Sequence, residues 1–215
     1  MTEVRIAAIV EGHGECEAVP ILIRRIAQTI DPAFVPKILS PLRVPVSRLL
    51  KEGEVERSVD LAARKLEGKG GILIIIDCDW ENGCPAEDGP VLLKRAVATR
   101  GDLPIAVILA KREFEAWFLA AVESLRGQYG IPKNATAPAN PESKRDAKGA
   151  LEEFMPPDRA YSETGDQPAM SAAFDMGLAH RRNRSFRKLV KAVGDLLAQL
   201  RQPLRAWPPA EWQPE

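Results

Sequence analysis

The chain has 215 residues, 45% of them hydrophobic, which is enough for a substantial core in one or two domains. Thirty basic residues balance thirty acidic ones, so no bulk field draws the protein to nucleic acid or anionic lipid, and any such attraction must come from local patches. No apolar run approaches the roughly 18 residues of a membrane span. The start Met1-Thr-Glu-Val-Arg5 lacks a signal-peptide pattern, and Cys16, Cys78 and Cys84 make no disulfide framework. A soluble cytoplasmic protein is the expectation.

The first half alternates short apolar runs with amphipathic stretches. Arg5 to Val10 reads as a buried strand, and Val19, Leu22, Ile23, Ile26 and Ile30 recur at helical spacing, with Pro20 expected in the first turn. Val35 to Leu39 reads as an edge strand, because Pro36 removes a ladder donor. Val55 to Leu66 is a second amphipathic helix, ended by Gly68-Lys-Gly-Gly71, and Gly71 to Ile76 is the most apolar strand. After a Gly- and Pro-rich loop from Glu81 to Pro90 come a helix to Ala98, a fourth strand from Pro104 to Ala110, and a helix from Glu113 to Leu125. This order predicts an α/β domain over 1–127: a mostly parallel sheet of about four strands with helices on both faces.

Gln128 to Glu142, rich in Pro, Ala and Asn, reads as a linker or long loop. Lys144 to Phe154, Gln167 to Leu178 and Ser185 to Leu200 read as helices of a C-terminal extension over 128–201. Residues 202–215 form a Pro- and Trp-rich tail expected to be irregular and free for a partner, through Trp207-Pro-Pro-Ala-Glu-Trp212.

Two acidic clusters follow directly on strands: Glu11-Gly12-His13-Gly14-Glu15 after Val10, and Asp77-Cys78-Asp79 after Ile76. In an open parallel sheet, ligands bind outside the carboxyl ends of the strands, so these four carboxylates are candidates to converge. In extended backbone Asp77 and Asp79 face one side and Cys78 the other. Gathered carboxylates call for a cation, and Mg²⁺ takes one or two protein carboxylates, several waters and substrate phosphate. Gly12 and Gly14 are expected to allow a tight turn that aims backbone amides at a ligand. With no third glycine this is not a dinucleotide fingerprint, and Glu15 and Glu17 double as first-turn acids that suit a helix dipole. In Lys111-Arg-Glu-Phe-Glu-Ala-Trp117, Glu113 or Glu115 is placed to complete a second metal position. His13, Cys16, Cys78 and Cys84 do not have the spacing of a structural zinc site.

Glu11-Gly12 after the first strand and Asp77-x-Asp79 after the third resemble the Toprim domain of topoisomerases, bacterial primases and overcoming-lysogenization-defect (OLD) nucleases. Val10-Glu-Gly-His-Gly-Glu15, Ile76-Asp-Cys-Asp79, Arg112-Glu-Phe-Glu-Ala-Trp-Phe-Leu119, Tyr161-x-x-Thr-Gly-Asp-Gln167 and Arg184-Ser-Phe186 look more specifically like DUF4276, a Toprim-like family of uncharacterised bacterial proteins. The resemblance implies Mg²⁺ (or Mn²⁺) held by Asp77 and Asp79, with Glu11 in acid-base or metal chemistry. Glu15 and Glu113 join the candidate metal set. It also implies a separate ABC-type ATPase as partner, as OLD-type domains use, because no Walker motif occurs here. A bacterial defence setting is an expectation by analogy alone.

Lys111 and Arg112, with Arg181, Arg182, Arg184, Arg187 and Lys188 in an acid-free segment, are candidates for contact with the phosphates of DNA or RNA. Phe186 within that segment is expected in the core rather than stacked on a base. The expected activity is Mg²⁺-dependent phosphodiester cleavage with Glu11, Asp77 and Asp79 as catalytic residues. A non-catalytic interaction subunit and a phosphatase on a small substrate are the alternatives, and a homodimer is left open.

Overall fold

The computed structural model describes residues 3–200 and 207–213. β1 (Arg5–Val10) is buried on both faces and leads into α1 (Glu15–Ile30), whose apolar stripe packs back on the sheet. The helix begins earlier than Pro20 suggested, so this proline lies inside it, where it removes a donor to the preceding turn. β2 (Lys37–Ile38) and β3 (Leu42–Arg43) pair in succession with the two halves of β1. The edge strand expected over Val35 to Leu39 is only the short β2, and β3 is a further short strand after Pro41, which has no N–H to continue the ladder. α2 (Val46–Leu49) and α3 (Glu54–Lys65) carry the chain to β4 (Gly71–Cys78), and α4 (Asp88–Thr99) carries it to β5 (Ile105–Lys111).

The five strands among the described residues are all parallel, in the order β2-β1-β4-β5 with β3 also on β1. The α/β expectation holds, with five strands rather than four, and the architecture is consistent with a Toprim-like fold. The winding direction reverses between β1 and β4, which makes the crevice beyond their carboxyl ends the topological switch point where open α/β sheets bind ligands. Strand periodicity sorts the faces: Leu73 and Ile75 pack toward α1, whereas Ile72, Ile74, Ile76 and Cys78 pack toward α3 and α4.

Beyond β5 the expected long helix is instead α5 (Ala116–Ala120) followed by a 3-10 turn at Val122–Leu125. α6 (Ala147–Glu152), α7 (Asp166–Ala173), α8 (Met176–Arg182) and α9 (Arg184–Leu200) follow, so the one helix read from Gln167 to Leu178 is two, divided at Phe174. α9 lies across β5 and against α1. Phe174, Phe186, Leu189, Val193 and Leu197 share one core with Ile6, Val10 and Leu22, so among the described residues no separate core begins after residue 127. The segment read as a linker contributes the buried Ile131, Ala135 and Pro141. Phe114, Trp117, Phe118, Phe174 and Phe186 stack edge-to-face or tilted at centroid separations of 4.4–5.5 Å. The Trp117 indole N–H is satisfied by the Ser185 hydroxyl at 3.0 Å.

The tail is docked where it is described. Trp207 donates its indole N–H to the Val190 carbonyl and lies so close to Gly194 that a Cβ there would meet the ring nitrogen at 2.1 Å. His180 Nδ1–H donates to the Trp212 carbonyl, and Arg181 donates to the Glu211 carbonyl. These contacts correct the free-tail reading for residues 207–213, while 202–206 and 214–215 lie outside the described residues.

Candidate active site

Three strand ends deliver carboxylates to one cavity of about 320 Å³. Glu11 follows β1, Asp77 and Asp79 sit at and beyond the end of β4, and Glu113 and Glu115 follow β5; Glu15 from α1 and Glu163 from the turn before α7 complete the ring. Asp77 continues the α1-facing set of β4 while Cys78 is buried on the opposite face, as the period of two requires.

The structure shows what each carboxylate touches. Glu15 Oε2 accepts from the amides of Glu11 and Gly12 at 2.7 and 2.9 Å, reaching back from the first turn of α1 to fix the turn that carries Glu11. Those two amides are therefore taken, not presented to a ligand as the Gly-rich turn suggested. Glu11 Oε2 accepts from the Asp77 amide at 3.3 Å, which ties the ends of β1 and β4 together. Asp77 Oδ1 accepts from the Phe114 amide, and Glu113 Oε2 from the Lys148 amide at the start of α6. Glu115, only 2% exposed, accepts from the Gln167 side-chain amide at 3.2 Å. Asp79 is exposed at the mouth.

Burial and mutual repulsion raise these acids. Glu15 and Glu115 are pushed up to about 7, chiefly by burial, against the hydrogen bonds that favour their charged forms. Asp77 is held well above the usual carboxylate range by burial and then by Glu15, Glu115, Glu11 and Glu113. Glu11 and Glu113 are raised by burial as well. Burial works against the Lys148 charge, but Glu163, Glu115 and Glu113 outweigh it and hold its ammonium above the ordinary value. Lys148 ion-pairs with Glu163. Burial and Glu115 keep the Tyr161 phenol protonated, with its hydroxyl beside Glu115 but outside regular hydrogen-bond geometry.

Gly14 earns its place by close approach rather than by a special turn, since its φ is −63°. A Cβ there would meet the Glu163 carbonyl oxygen at 2.1 Å and Gln167 Oε1 at 2.3 Å. The segment 161–167 is thereby seated on the start of α1 and braced by Asp166, which accepts from the Ser162 amide and pairs with Arg159. Glu115, Lys148, Glu163 and Gln167 thus belong to the cavity, as does Arg43 from β3. Glu115 was legible as one of two options after β5, and Gln167 lay in a motif without an assigned role. Nothing in the sequence pattern marked Arg43 or Lys148.

The donor set suits a hard divalent cation, because the cavity offers carboxylate oxygens and Gln167 Oε1 is buried without a partner at its wall. Among the described residues, no group of three His, Cys, Asp or Glu side chains is arranged to hold one metal ion by itself. The hydrogen bonds explain this: Glu15, Asp77, Glu113 and Glu115 each turn an oxygen to a protein N–H. Such a site fits Mg²⁺ or Mn²⁺, which complete their shells with water and substrate oxygen, better than an all-protein zinc cage.

The basic candidates divide. Arg182 is tied to Glu123 and the Ala120 carbonyl, and Arg187 donates to the carbonyls of His180 and Arg181 at the end of α8. With Arg181 on the tail, these three serve the fold, which corrects the reading of the whole segment as a phosphate-binding stripe. Phe186 is fully buried, as expected. Arg112 takes φ +71° and its carbonyl accepts from the Cys78 amide, so its backbone locks the turn out of β5. Lys111, Arg184 and Lys188 meet at a separate cavity.

A family model described as Domain of unknown function (DUF4276) matches residues 10–194. No curated protein and no solved structure matches the chain. Among the described residues, no helix is long and apolar enough to cross a membrane.

Proposed function

The chain belongs to the DUF4276 family, and from that premise we propose that it is a phosphoryl-transfer enzyme that cleaves phosphodiesters of nucleic acid with Mg²⁺ or Mn²⁺. The observation that carries the reading is the convergence of Glu11, Asp77, Asp79 and Glu113 from three strand ends on one cavity at the switch point of the sheet. The resemblance of Glu11-Gly12 and Asp77-x-Asp79 to Toprim motifs supports the same chemistry. It also supports work beside a separate ABC-type ATPase in a bacterial defence setting.

In this reading Glu11, Asp77, Asp79 and Glu113 hold the cation, which when bound neutralises the developing charge on phosphoryl oxygens. Glu15 and Glu115 act through others, Glu15 by fixing the turn of Glu11 and Glu115 by holding Gln167. Glu11, tied to the Asp77 amide at the end of β1, is placed either to hold the cation or to accept a proton from an attacking water. Lys148 and Arg43, at the cavity wall, provide positive charge for a substrate phosphate.

A panel of single- and double-stranded DNA, RNA, mononucleotides and small phosphate monoesters tests the reading, with and without Mg²⁺ or Mn²⁺ and with a co-encoded ATPase supplied. Metal-dependent cleavage of a nucleic acid is expected, falling roughly 10²-fold or more in Glu11→Gln. Turnover confined to monoesters would replace the nuclease with a phosphatase. Cleavage undiminished by Glu11→Gln would remove Glu11 from the mechanism.

A further inference from the structure

Around the end of β5 lies a second cavity of about 180 Å³. Its walls are Lys111 at the end of β5, the Gly83–Ala86 turn after β4, and Arg184, Ser185 and Lys188 on the first turns of α9. Lys111 and Arg184 are exposed, and among the described residues none of the three cations makes a salt bridge or side-chain hydrogen bond. This sets them apart from Arg181, Arg182 and Arg187, which are engaged within the fold. One carboxylate, Glu142, also lines the cavity, and it accepts from the Ser185 amide, so three cations face one acid already held by the backbone. Lys111 is the register partner of Cys78, the residue between Asp77 and Asp79. Neighbouring strands lie about 4.8 Å apart, so the cationic cavity begins one strand over from the candidate metal ligands.

We infer that this cavity is a phosphate subsite in which Lys111, Arg184 and Lys188 hold a backbone phosphodiester of the same nucleic-acid strand whose neighbouring phosphate enters the acidic cavity. The inference rests on the nuclease reading and deepens it. The acidic ring repels a polyanion, and a cationic anchor one strand away offsets that repulsion before any metal-bridged contact forms. The subsite takes its anchor from the phosphate backbone, so it imposes no base sequence.

The test is fluorescence anisotropy with a labelled 12-nucleotide single strand, as DNA and as RNA, on the full chain in EDTA. Binding there is independent of metal, so its failure is distinct from a failure of metal-dependent cleavage. Lys111→Gln/Arg184→Gln/Lys188→Gln should weaken binding at least tenfold. It should also reduce the slope of log affinity against log salt by about 2, at about 0.7 for each lost contact on a single strand. Lys65→Gln/Lys69→Gln on the opposite end of the sheet should change neither. Because Cys84 lines the cavity, the bound strand should also slow its alkylation in the unmutated chain, a readout that needs no variant to fold. Unchanged affinity and slope in the triple variant, or no protection of Cys84, would overturn the subsite. Equal competition by inorganic phosphate or a nucleoside monophosphate at matched ionic strength would overturn its assignment to a strand.

Discussion

The segment after β5 presents opposite chemistries on its two sides. Glu113 and Glu115 line the acidic cavity, while Phe114, Trp117 and Phe118 lie fully buried in the aromatic layer behind it. The first side gathers like charges that raise one another and cost stability; the second is dense, apolar and hydrogen-bonded through Trp117 to Ser185. The contrast teaches how the protein tolerates its site, since strain at the strand ends is offset by packing one residue away, within the same turn of chain.

Truncating the stabilising side should have the largest effect. Trp117→Ala removes the centre of the aromatic layer and leaves the Ser185 hydroxyl without its donor, for an expected loss of about 3–5 kcal/mol in denaturant unfolding. A loss under about 1 kcal/mol would mean the layer does not support the cavity. Next comes the docked tail. Ending the chain at Leu200 removes the Trp207 and Trp212 contacts and should cost on the order of 2 kcal/mol. An unchanged melting temperature would restore the free-tail expectation.

The cavity side predicts a pH signature in the absence of divalent cation. Glu15 and Glu115 have folded values of about 7 against 4.5 ordinarily, so the folded state binds more protons than the unfolded one between these values. The stability they confer is therefore complete below 4.5 and is lost as pH rises through about 7. The melting temperature should be higher at about pH 5.5 than at about pH 8, and Glu15→Gln/Glu115→Gln should flatten much of the difference. A steady rise over that interval would contradict the burial assigned to these acids.

Much of this arrangement is written in local pattern. Apolar runs ending at Val10, Ile76 and Ala110 predicted the strands, and acids directly after the first two and shortly after the third predicted the convergence, because strand ends in a parallel sheet meet at one edge. The parts that depend on distant packing were not legible. Period and composition do not reveal that Phe174 joins the core of β1, that a Pro-rich tail docks through two tryptophans, or that three of five arginines and lysines in a basic run are spent on carbonyls and Glu123. Gly14 was recognised as special for its turn, whereas the structure ties it to the approach of Glu163 and Gln167, more than 145 residues away.

In the proposed function the acidic cavity holds a divalent cation. Thermal unfolding with and without Mn²⁺ measures it most directly, because a cation bound to the folded state alone stabilises it by about 2.7 kcal/mol at a hundredfold excess over its dissociation constant. A rise in melting temperature is expected for the unmutated chain, and its loss in Asp77→Asn/Asp79→Asn. No rise at all, or an equal rise in the double variant, would contradict a metal site at the ends of β1 and β4.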